Sequence, residues 1–146
     1  MTRFYTIDEA NGALPEVERI LTALRGQREE LIELRDRVVA ASPPDDETPT
    51  TGVAEQIRLL RLGMQGLIDQ MQAGVARLVE LDITLRDIST GLIDFPALVS
   101  GRPIWLCWRL GEDDVAHWHP HDEGFDVRRP LSELPTGMGR SSGSPA

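Results

Sequence analysis

The stretch Leu78-Val79-Glu80-Leu81-Asp82-Ile83-Thr84-Leu85-Arg86-Asp87-Ile88 decides the fold, because the spacing of its apolar residues changes within it. Up to Leu81, apolar side chains recur at steps of three and four residues, which is typical of a helix. From Ile83 onward they alternate or nearly so, which is typical of a strand. The change predicts helices before position 82 and a sheet after it. A helix that continues to Ile88 is the competing interpretation.

Two apolar stripes precede this change. The second stripe consists of Val53, Ile57, Leu60, Met64, Leu67, Met71, Val75, Leu78 and Leu81. It predicts a helix of about 40 Å, at 1.5 Å per residue. The first stripe predicts a helix of matched length from about Pro15 to Ala41. Residues 42–52 contain three prolines and a glycine, which force a loop. We therefore expect an antiparallel helical hairpin over residues 7–81.

The hairpin begins with a capping-box pattern. The Thr6 side chain can accept a hydrogen bond from a helical N–H, and Glu9 can reach back to the Thr6 N–H. This pattern predicts a short helix from Ile7 to Gly12. Gly12 and Pro15 should then interrupt it before the long helix begins, because glycine costs backbone entropy and proline lacks a donor.

Short strands follow the hairpin. After the turn at residues 89–91, residues 92–95 form a strand that Pro96 should end. A second turn at residues 100–103 leads into Ile104–Leu110, the clearest strand of the chain, and residues 115–119 return antiparallel. The fold class is thus α+β: a long antiparallel helical hairpin, then a small antiparallel sheet over residues 83–120, within one domain of residues 1–134. The Gly-, Ser- and Pro-rich residues 135–146 predict a disordered tail.

Composition excludes several classes of partner. The 146 residues carry a net charge of −9, which disfavours binding to nucleic acid or to anionic lipid. No apolar run approaches the roughly 20 residues of a membrane span. The N-terminus has no apolar signal core, and a single cysteine, Cys107, cannot form an internal disulfide. We expect a cytoplasmic protein with no nucleic acid and no membrane among its partners.

Four separated motifs resemble one protein family. They are residues 3–11 (RFYTIDEAN), residues 91–97 (GLIDFPA), residues 106–112 (LCWRLGE), and Trp118-His119 followed by Asp122, Gly124 and Phe125. Together they resemble the domain of unknown function 2203, an uncharacterised bacterial family, over most of residues 3–131. The resemblance implies a bacterial, cytosolic, single-domain protein. It implies no activity and no site residues.

The sharpest candidate site is a histidine cluster. All three histidines, His117, His119 and His121, lie at alternate positions, so an extended segment would direct them to one face. Imidazole is a common ligand of zinc and other transition metals, and three histidines can leave a fourth position to water. Asp122, Asp113, Asp114 or Glu123 could complete or orient such a site. The alternative is that His119, the one histidine within the family motif, serves a structural hydrogen bond.

Aromatic and basic residues of the sheet form a second candidate. Trp105, Trp108 and Trp118 should form the core where the sheet meets the helices, although an aromatic-lined pocket is an alternative. Arg109 and Arg128, beside Trp105, could bind a small anionic ligand through their guanidinium groups. They could equally form ordinary ion pairs with neighbouring acids.

Cys107 and the helical hairpin complete the candidates. Cys107 is expected to be a buried, inert thiol, the alternative being a nucleophile beside His119 or His117 and a nearby aspartate. Leu31, Ile32, Ile68 and Val79 give the hairpin a wider apolar surface than one helix–helix seam needs. We therefore expect a homo-oligomeric protein-interaction module, most simply a homodimer forming a four-helix bundle. The alternatives are a metal-binding protein or metal-dependent hydrolase, and an anion-binding protein.

Overall fold

The computed structural model describes residues 3–134. Two helices come first, α1 (Ile7–Ala41) and α2 (Thr51–Glu80). Five strands follow: β1 (Thr84–Asp87), β2 (Leu92–Val99), β3 (Arg102–Arg109), β4 (His117–Pro120) and β5 (Arg129–Pro130). Short 3₁₀ helices span Phe125–Val127 and Leu131–Glu133. The α+β class is confirmed, and the tail expected at residues 135–146 lies outside the described residues.

Helix α1 begins as its capping box predicts. The Thr6 hydroxyl accepts from the Glu9 N–H at 3.1 Å, and the Glu9 carboxylate accepts from the Thr6 N–H at 2.9 Å. The expected interruption at Gly12 and Pro15 is wrong, because one helix runs from Ile7 through both residues. Buried side chains on this segment, among them Ala10, Leu14 and Val17, pack into the core. Their burial offsets the local cost of the glycine and the proline.

The two long helices form the predicted hairpin. Glu16 near the start of α1 pairs with Arg77 near the end of α2, with Oε2 and Nε 2.7 Å apart, so the helices run antiparallel. A methyl group added at Gly74 would lie 3.1 Å from Leu24, which shows how closely the helices approach there. Neither helix among residues 3–134 has the length and apolar character that a membrane crossing needs.

The change of spacing at position 82 marks the boundary between helices and sheet. Asp82 adopts a positive φ of 59°, and β1 begins two residues later. A helix continued to Ile88 is therefore wrong. All neighbouring strands are antiparallel, in the order β1-β2-β3-β4-β5. Ser100 and Gly101, with φ of 51° and 79°, form the tight turn between β2 and β3, as a two-residue hairpin of right-handed twist requires.

Pro96 does not end β2, contrary to the prediction, since the strand continues to Val99. The pairing between β1 and β2 stops at Asp94, so Pro96 lies where that edge of β2 is no longer covered by β1. The Pro96 carbonyl accepts from the Tyr5 N–H at 2.7 Å on that edge. A residue's N–H and C=O point to the same side of a strand, so the missing donor of Pro96 falls at an edge, where proline is tolerated.

The core lies between the helices and one face of the sheet. Ile104, Leu106 and Trp108 of β3 point into it, as alternation along this strand predicts. Trp118 of β4 joins them. The expectation that Trp105 also belongs to this core is wrong, because Trp105 lies on the opposite face together with Cys107. That second face, here called the outer face, carries the candidate site.

Candidate functional site

Three chemically reactive side chains meet on the outer face of the sheet. Asp94 lies on β2, Cys107 on β3 and His119 on β4, and the three strands are adjacent. Asp94 is directly opposite Cys107. His119 is opposite Trp105, two positions along β3, so it reaches Asp94 diagonally across the middle strand. We call these three residues the outer-face cluster.

The cluster is almost fully shielded from solvent. Asp94 and His119 are each 2% exposed and Cys107 is 1% exposed. Asp94 and His119 are the buried polar residues of the described core. A charged carboxylate in such surroundings is costly unless it is paired. Asp94 Oδ2 accepts from Arg86 Nε at 2.8 Å and lies 3.0 Å from His119 Nε2.

The hydrogen-bonding partners of His119 indicate which of its ring nitrogens carry a hydrogen. Nδ1 lies 3.0 Å from the Pro120 carbonyl oxygen, which can only accept, so Nδ1 carries a hydrogen. In a neutral imidazole Nε2 then has a lone pair, and this lone pair faces the Asp94 carboxylate. Two acceptors at 3.0 Å repel unless a proton or a cation lies between them. The His119–Asp94 contact therefore requires a second proton on the imidazole, a proton on the carboxyl, or a bound cation.

One oxygen of the cluster lacks a hydrogen-bonding partner, and the cluster thiol is protonated. Among the residues that the structure describes, Asp94 Oδ1 is buried and has no hydrogen-bonding partner. Burial, above all, and the negative charge of Asp94 together raise the pKa of the Cys107 thiol to about 12. A thiol in this state is protonated at neutral pH. The arrangement brings together the Cys/His/carboxylate set that the sequence allowed, but the raised pKa argues against a free thiolate nucleophile.

A cavity of about 290 Å³ opens beside the cluster. Its lining comprises Arg86, Leu92, Asp94, His119, His121, Asp122, Glu123 and Gly124. A larger groove of about 790 Å³ lies where Trp118, Pro120 and the β2–β3 turn meet, and it shares His121 and Asp122 with the smaller cavity. The smaller cavity is the one that gives access to Asp94 and His119.

The three histidines have different surroundings. His117 Nδ1 lies 3.0 Å from Arg128 Nη2, which can only donate, so this nitrogen accepts. His119 is the buried partner of Asp94. His121 is exposed and stacks on Trp105, with ring centroids 4.9 Å apart. Asp122 is exposed and lines the same cavity as His119 and His121. Within residues 3–134, the metal-ligating side chains that group together are Asp94, Cys107 and His119, and only His119 belongs to the predicted set.

Arg109 and Arg128, two of the residues predicted for an anion site, lie around the carboxylate of Glu112. Arg128 Nη2 donates to Glu112 Oε1 at 2.9 Å, and the backbone N–H of Arg109 donates to the same oxygen at 2.8 Å. Burial works to raise the pKa of Glu112, but these two donors lower it below its ordinary value overall. Trp105 lies beside the outer-face cluster instead, with the Arg86 guanidinium 4.9 Å above its ring.

Asp94 and Arg86 are the site residues that spacing did not single out. Asp94 lies in Leu92–Val99, where every residue except Leu92 and Leu98 is buried. A lone carboxylate in so apolar a strand is the signal that could have identified it, because a buried charge requires a partner. Arg86 of the neighbouring strand provides one such partner.

The fold and this site define a class of protein: a helical hairpin packed on a five-stranded antiparallel sheet whose outer face holds a buried Asp/Cys/His cluster. The model of the uncharacterized conserved protein family DUF2203 matches residues 3–131, and the chain belongs to that family. Comparison with curated proteins found no match, and comparison with solved structures found none either.

Proposed function

We propose that the protein is a homo-oligomeric protein-interaction module in which the outer half of the helical hairpin binds a second copy of the chain. We define this outer half as residues 25–41 of α1 and residues 51–66 of α2, and call it the distal hairpin. The observation that carries the proposal is its burial. The buried residues of α1 end at Leu24 and those of α2 begin at Leu67, so no described residue of the distal hairpin is fully buried.

The distal hairpin nevertheless has an apolar seam. Leu31, Leu34 and Val38 of α1 and Ile57, Leu60 and Met64 of α2 are all only partly buried. Beyond the seam, Val39 is 69% exposed, Leu59 is 55% exposed and Leu62 is 56% exposed. Burying apolar surface contributes roughly 25 cal/mol per Å², so a second hairpin packed here would stabilise both copies.

A groove of about 410 Å³ lies on one side of the hairpin, next to the distal hairpin and closer to the core. Its lining is apolar apart from one glutamine, and consists of Leu31, Ile68, Met71, Gln72, Val75 and Ala76. Ridges of side chains from another helix fit such a groove in helix packing. The groove extends the apolar seam of the distal hairpin toward the core, so both surfaces could be covered by one partner.

Charge favours a second copy of the chain as that partner. The helical residues of the distal hairpin contain six arginines and five acids: Arg25, Arg28, Arg35, Arg37, Arg58, Arg61, Glu29, Glu30, Glu33, Asp36 and Glu55. This part is nearly neutral, although the whole chain has a net charge of −9. Two such surfaces do not repel each other, and their mixed signs permit cross-pairing. A strongly basic partner would instead be attracted to the rest of the molecule.

Light scattering after size-exclusion chromatography tests the proposal. The chain has a mass of 16.2 kDa, and a dimer would give twice this value at micromolar concentration. Leu62→Glu places a charge on the distal hairpin, at a residue that is 56% exposed, whereas Ala73→Glu places the same charge on an exposed position of the same helix outside it. We expect the first variant to shift the protein toward monomer and the second to leave the mass unchanged.

A monomeric wild-type protein at high concentration would contradict self-association. A dimer that persists in both glutamate variants would locate the interface elsewhere. Circular dichroism of each variant checks that the helices are intact, so that dissociation is not confused with unfolding.

Small-anion binding is the second alternative that the sequence allowed, and it has less support. Glu112 already occupies the position between Arg128 and the Arg109 backbone that an anion would take. A thermal-shift screen with phosphate and small carboxylates tests it, because a ligand that binds only the folded state raises the melting temperature. Arg128→Gln should abolish any shift that depends on this position.

A further inference from the structure

We propose that Asp94, Cys107 and His119 bind a divalent transition metal ion of the zinc class. This inference is independent of the hairpin, because the cluster lies on the face of the sheet that the helices do not cover. It also differs from the histidine triplet suggested by sequence spacing, since two of its three ligands come from β2 and β3.

The donor types fit such an ion. A thiolate, an imidazole nitrogen and a carboxylate oxygen are the three ligand classes that Zn²⁺ accepts in proteins. A Cys/His/Asp set leaves one position of a tetrahedron open. The two negative ligands would balance the charge of a divalent cation, which makes burial of the ion acceptable.

The hydrogen bond from His119 Nδ1 orients the imidazole as in a metal-ligating histidine. A ligating histidine almost always donates its second ring N–H to a carbonyl or carboxylate. Here Nδ1 donates to the Pro120 carbonyl, which leaves the Nε2 lone pair directed at the cluster. A cation between Nε2 and Asp94 would relieve the repulsion between these two acceptors.

The two carboxylate oxygens of Asp94 could serve different functions, one accepting from Arg86 and one binding the metal ion. Oδ2 accepts from Arg86, and Oδ1 has no partner among the described residues although it is buried. An unpaired buried oxygen is costly, and native proteins rarely retain one without a water or an ion. Coordination through Oδ1 would use this atom while Arg86 continues to orient the carboxylate from outside.

The separations are close to those of a metal site. One donor atom from each residue lies within 4.8 Å of the others. Ligands at 2.0–2.3 Å around a tetrahedral ion are about 3.3–3.8 Å apart, so rotamer adjustments of about 1 Å would complete the site. The 290 Å³ cavity reaches Asp94 and His119, and it provides both an entry path and room for a water or a small ligand as fourth group.

A doubly protonated His119 paired with Asp94 is the competing account. It explains the 3.0 Å contact between Nε2 and Oδ2. In this account the protonated Cys107 thiol also interacts with the Asp94 carboxylate, but Oδ1 has no partner among the described residues. Metal coordination accounts for all three observations.

Cobalt titration of the full chain, produced without a histidine tag, tests the proposal. Co²⁺ substitutes for Zn²⁺, and a thiolate ligand gives a charge-transfer band in the near ultraviolet. We expect one Co²⁺ per chain with this band, displaced by Zn²⁺. X-ray absorption of the zinc-loaded wild-type protein should show one sulfur in the first shell, a readout that requires no variant.

Paired substitutions identify the ligands. Cys107→Ser and His119→Gln should weaken Co²⁺ binding by more than about 100-fold, since loss of even an outer partner costs 10–100-fold. His117→Gln, His121→Gln and Asp122→Asn should leave the affinity within a few fold. Circular dichroism confirms that each variant is folded.

Three results would overturn the proposal: no stoichiometric metal, a first shell of nitrogen and oxygen alone, or binding that persists in Cys107→Ser and disappears in His117→Gln or His121→Gln. The last result would support the histidine triplet instead.

Discussion

Asp94 and His119 contact each other across an intervening strand, with Oδ2 of the first 3.0 Å from Nε2 of the second. Their strands, β2 and β4, are separated by β3, whose residues pair with both. Adjacent strands lie about 4.8 Å apart, so the two backbones are about 10 Å from each other. The side chains thus join three strands on a face that the helices do not cover.

Loss of Asp94 should be the most damaging single change on the outer face. Asp94→Ala leaves the buried His119 without its carboxylate partner, and an unpaired buried polar group costs about 1–3 kcal/mol, while the Arg86 side chain at 41% exposure can turn to solvent. Urea unfolding followed by circular dichroism, in the presence of a chelator, measures the free energy of unfolding. Asp122→Ala removes an exposed carboxylate of the same cavity and should change that energy by less than about 0.5 kcal/mol. Equal effects of the two substitutions would show that the Asp94 contacts contribute no stability.

Substitutions at Gly91 and Gly101 distinguish two costs of a side chain at positive φ, namely the backbone conformation and a steric contact. Gly91 has φ of 69° and Gly101 has φ of 79°, and a left-handed backbone costs a non-glycine residue about 1–2 kcal/mol. A Cβ at Gly91 would lie 2.5 Å from Leu110 Cβ, whereas a Cβ at Gly101 meets nothing within 4 Å.

Gly101→Ala should therefore lower the free energy of unfolding by about 1–2 kcal/mol, the cost of the backbone conformation alone. Gly91→Ala should lower it by a further 1–3 kcal/mol or so, because an overpacked contact forces Leu110 to move. Thermal unfolding of the two variants side by side measures the difference. Matching melting temperatures would mean that the Leu110 contact relaxes without cost.

The fold follows from the sequence because backbone geometry determines how often a side chain returns to the same face. The change of spacing near Asp82 predicted the boundary between helices and sheet, and alternation in β3 placed Ile104, Leu106 and Trp108 on the core face. The exceptions at Pro15 and Pro96 share one reason. Each proline lacks a donor where tertiary packing, or an uncovered strand edge, makes that loss tolerable.

The outer-face cluster could not be predicted by spacing along one strand. Alternation groups His117 with His119, but it says nothing about which residues of β2 and β3 lie beside them. That depends on strand register, which the Ser100–Gly101 turn fixes on one side and the β3–β4 connection on the other. Asp94 joins the cluster through a diagonal contact across β3, which no local sequence pattern encodes.

Tyr5 should make the fold sensitive to alkaline pH. Its hydroxyl donates to the Leu81 carbonyl at 2.6 Å, and its ring packs edge-on against Phe95. Burial, above all, raises its pKa above the ordinary value of 10.0. The folded state therefore keeps this proton at a pH where the unfolded chain has lost it. The stabilising contribution is complete below pH 10 and is lost as pH rises toward the raised value.

Tyr5→Phe tests this dependence. The variant should lose about 0.5–1.5 kcal/mol at neutral pH, because one hydrogen bond is removed while the ring stays. Above pH 10 the gap between wild type and variant should narrow, as Tyr5 no longer favours folding. Tyr5 is the single tyrosine of the chain, so its phenolate absorbance reports its titration directly. A titration at the ordinary pKa in the folded protein would contradict the prediction.

Asn11 should anchor the β3–β4 connection to the first helix. Its Oδ1 accepts from the Val115 N–H at 2.7 Å, across 104 positions of sequence, and Val115 is 3% exposed. Asn11→Ala leaves that buried N–H unpaired, which costs about 1–3 kcal/mol. Alanine is the better helix former by up to about 0.7 kcal/mol, so a net loss of stability must come from the hydrogen bond. Asn11→Asp keeps an acceptor at the same place and should lose less stability.

Urea unfolding ranks the three proteins by their free energy of unfolding, and amide hydrogen exchange of Val115 should be fastest in the alanine variant. An alanine variant as stable as the wild type, with slow exchange at Val115, would show that the connection is held by its apolar packing alone.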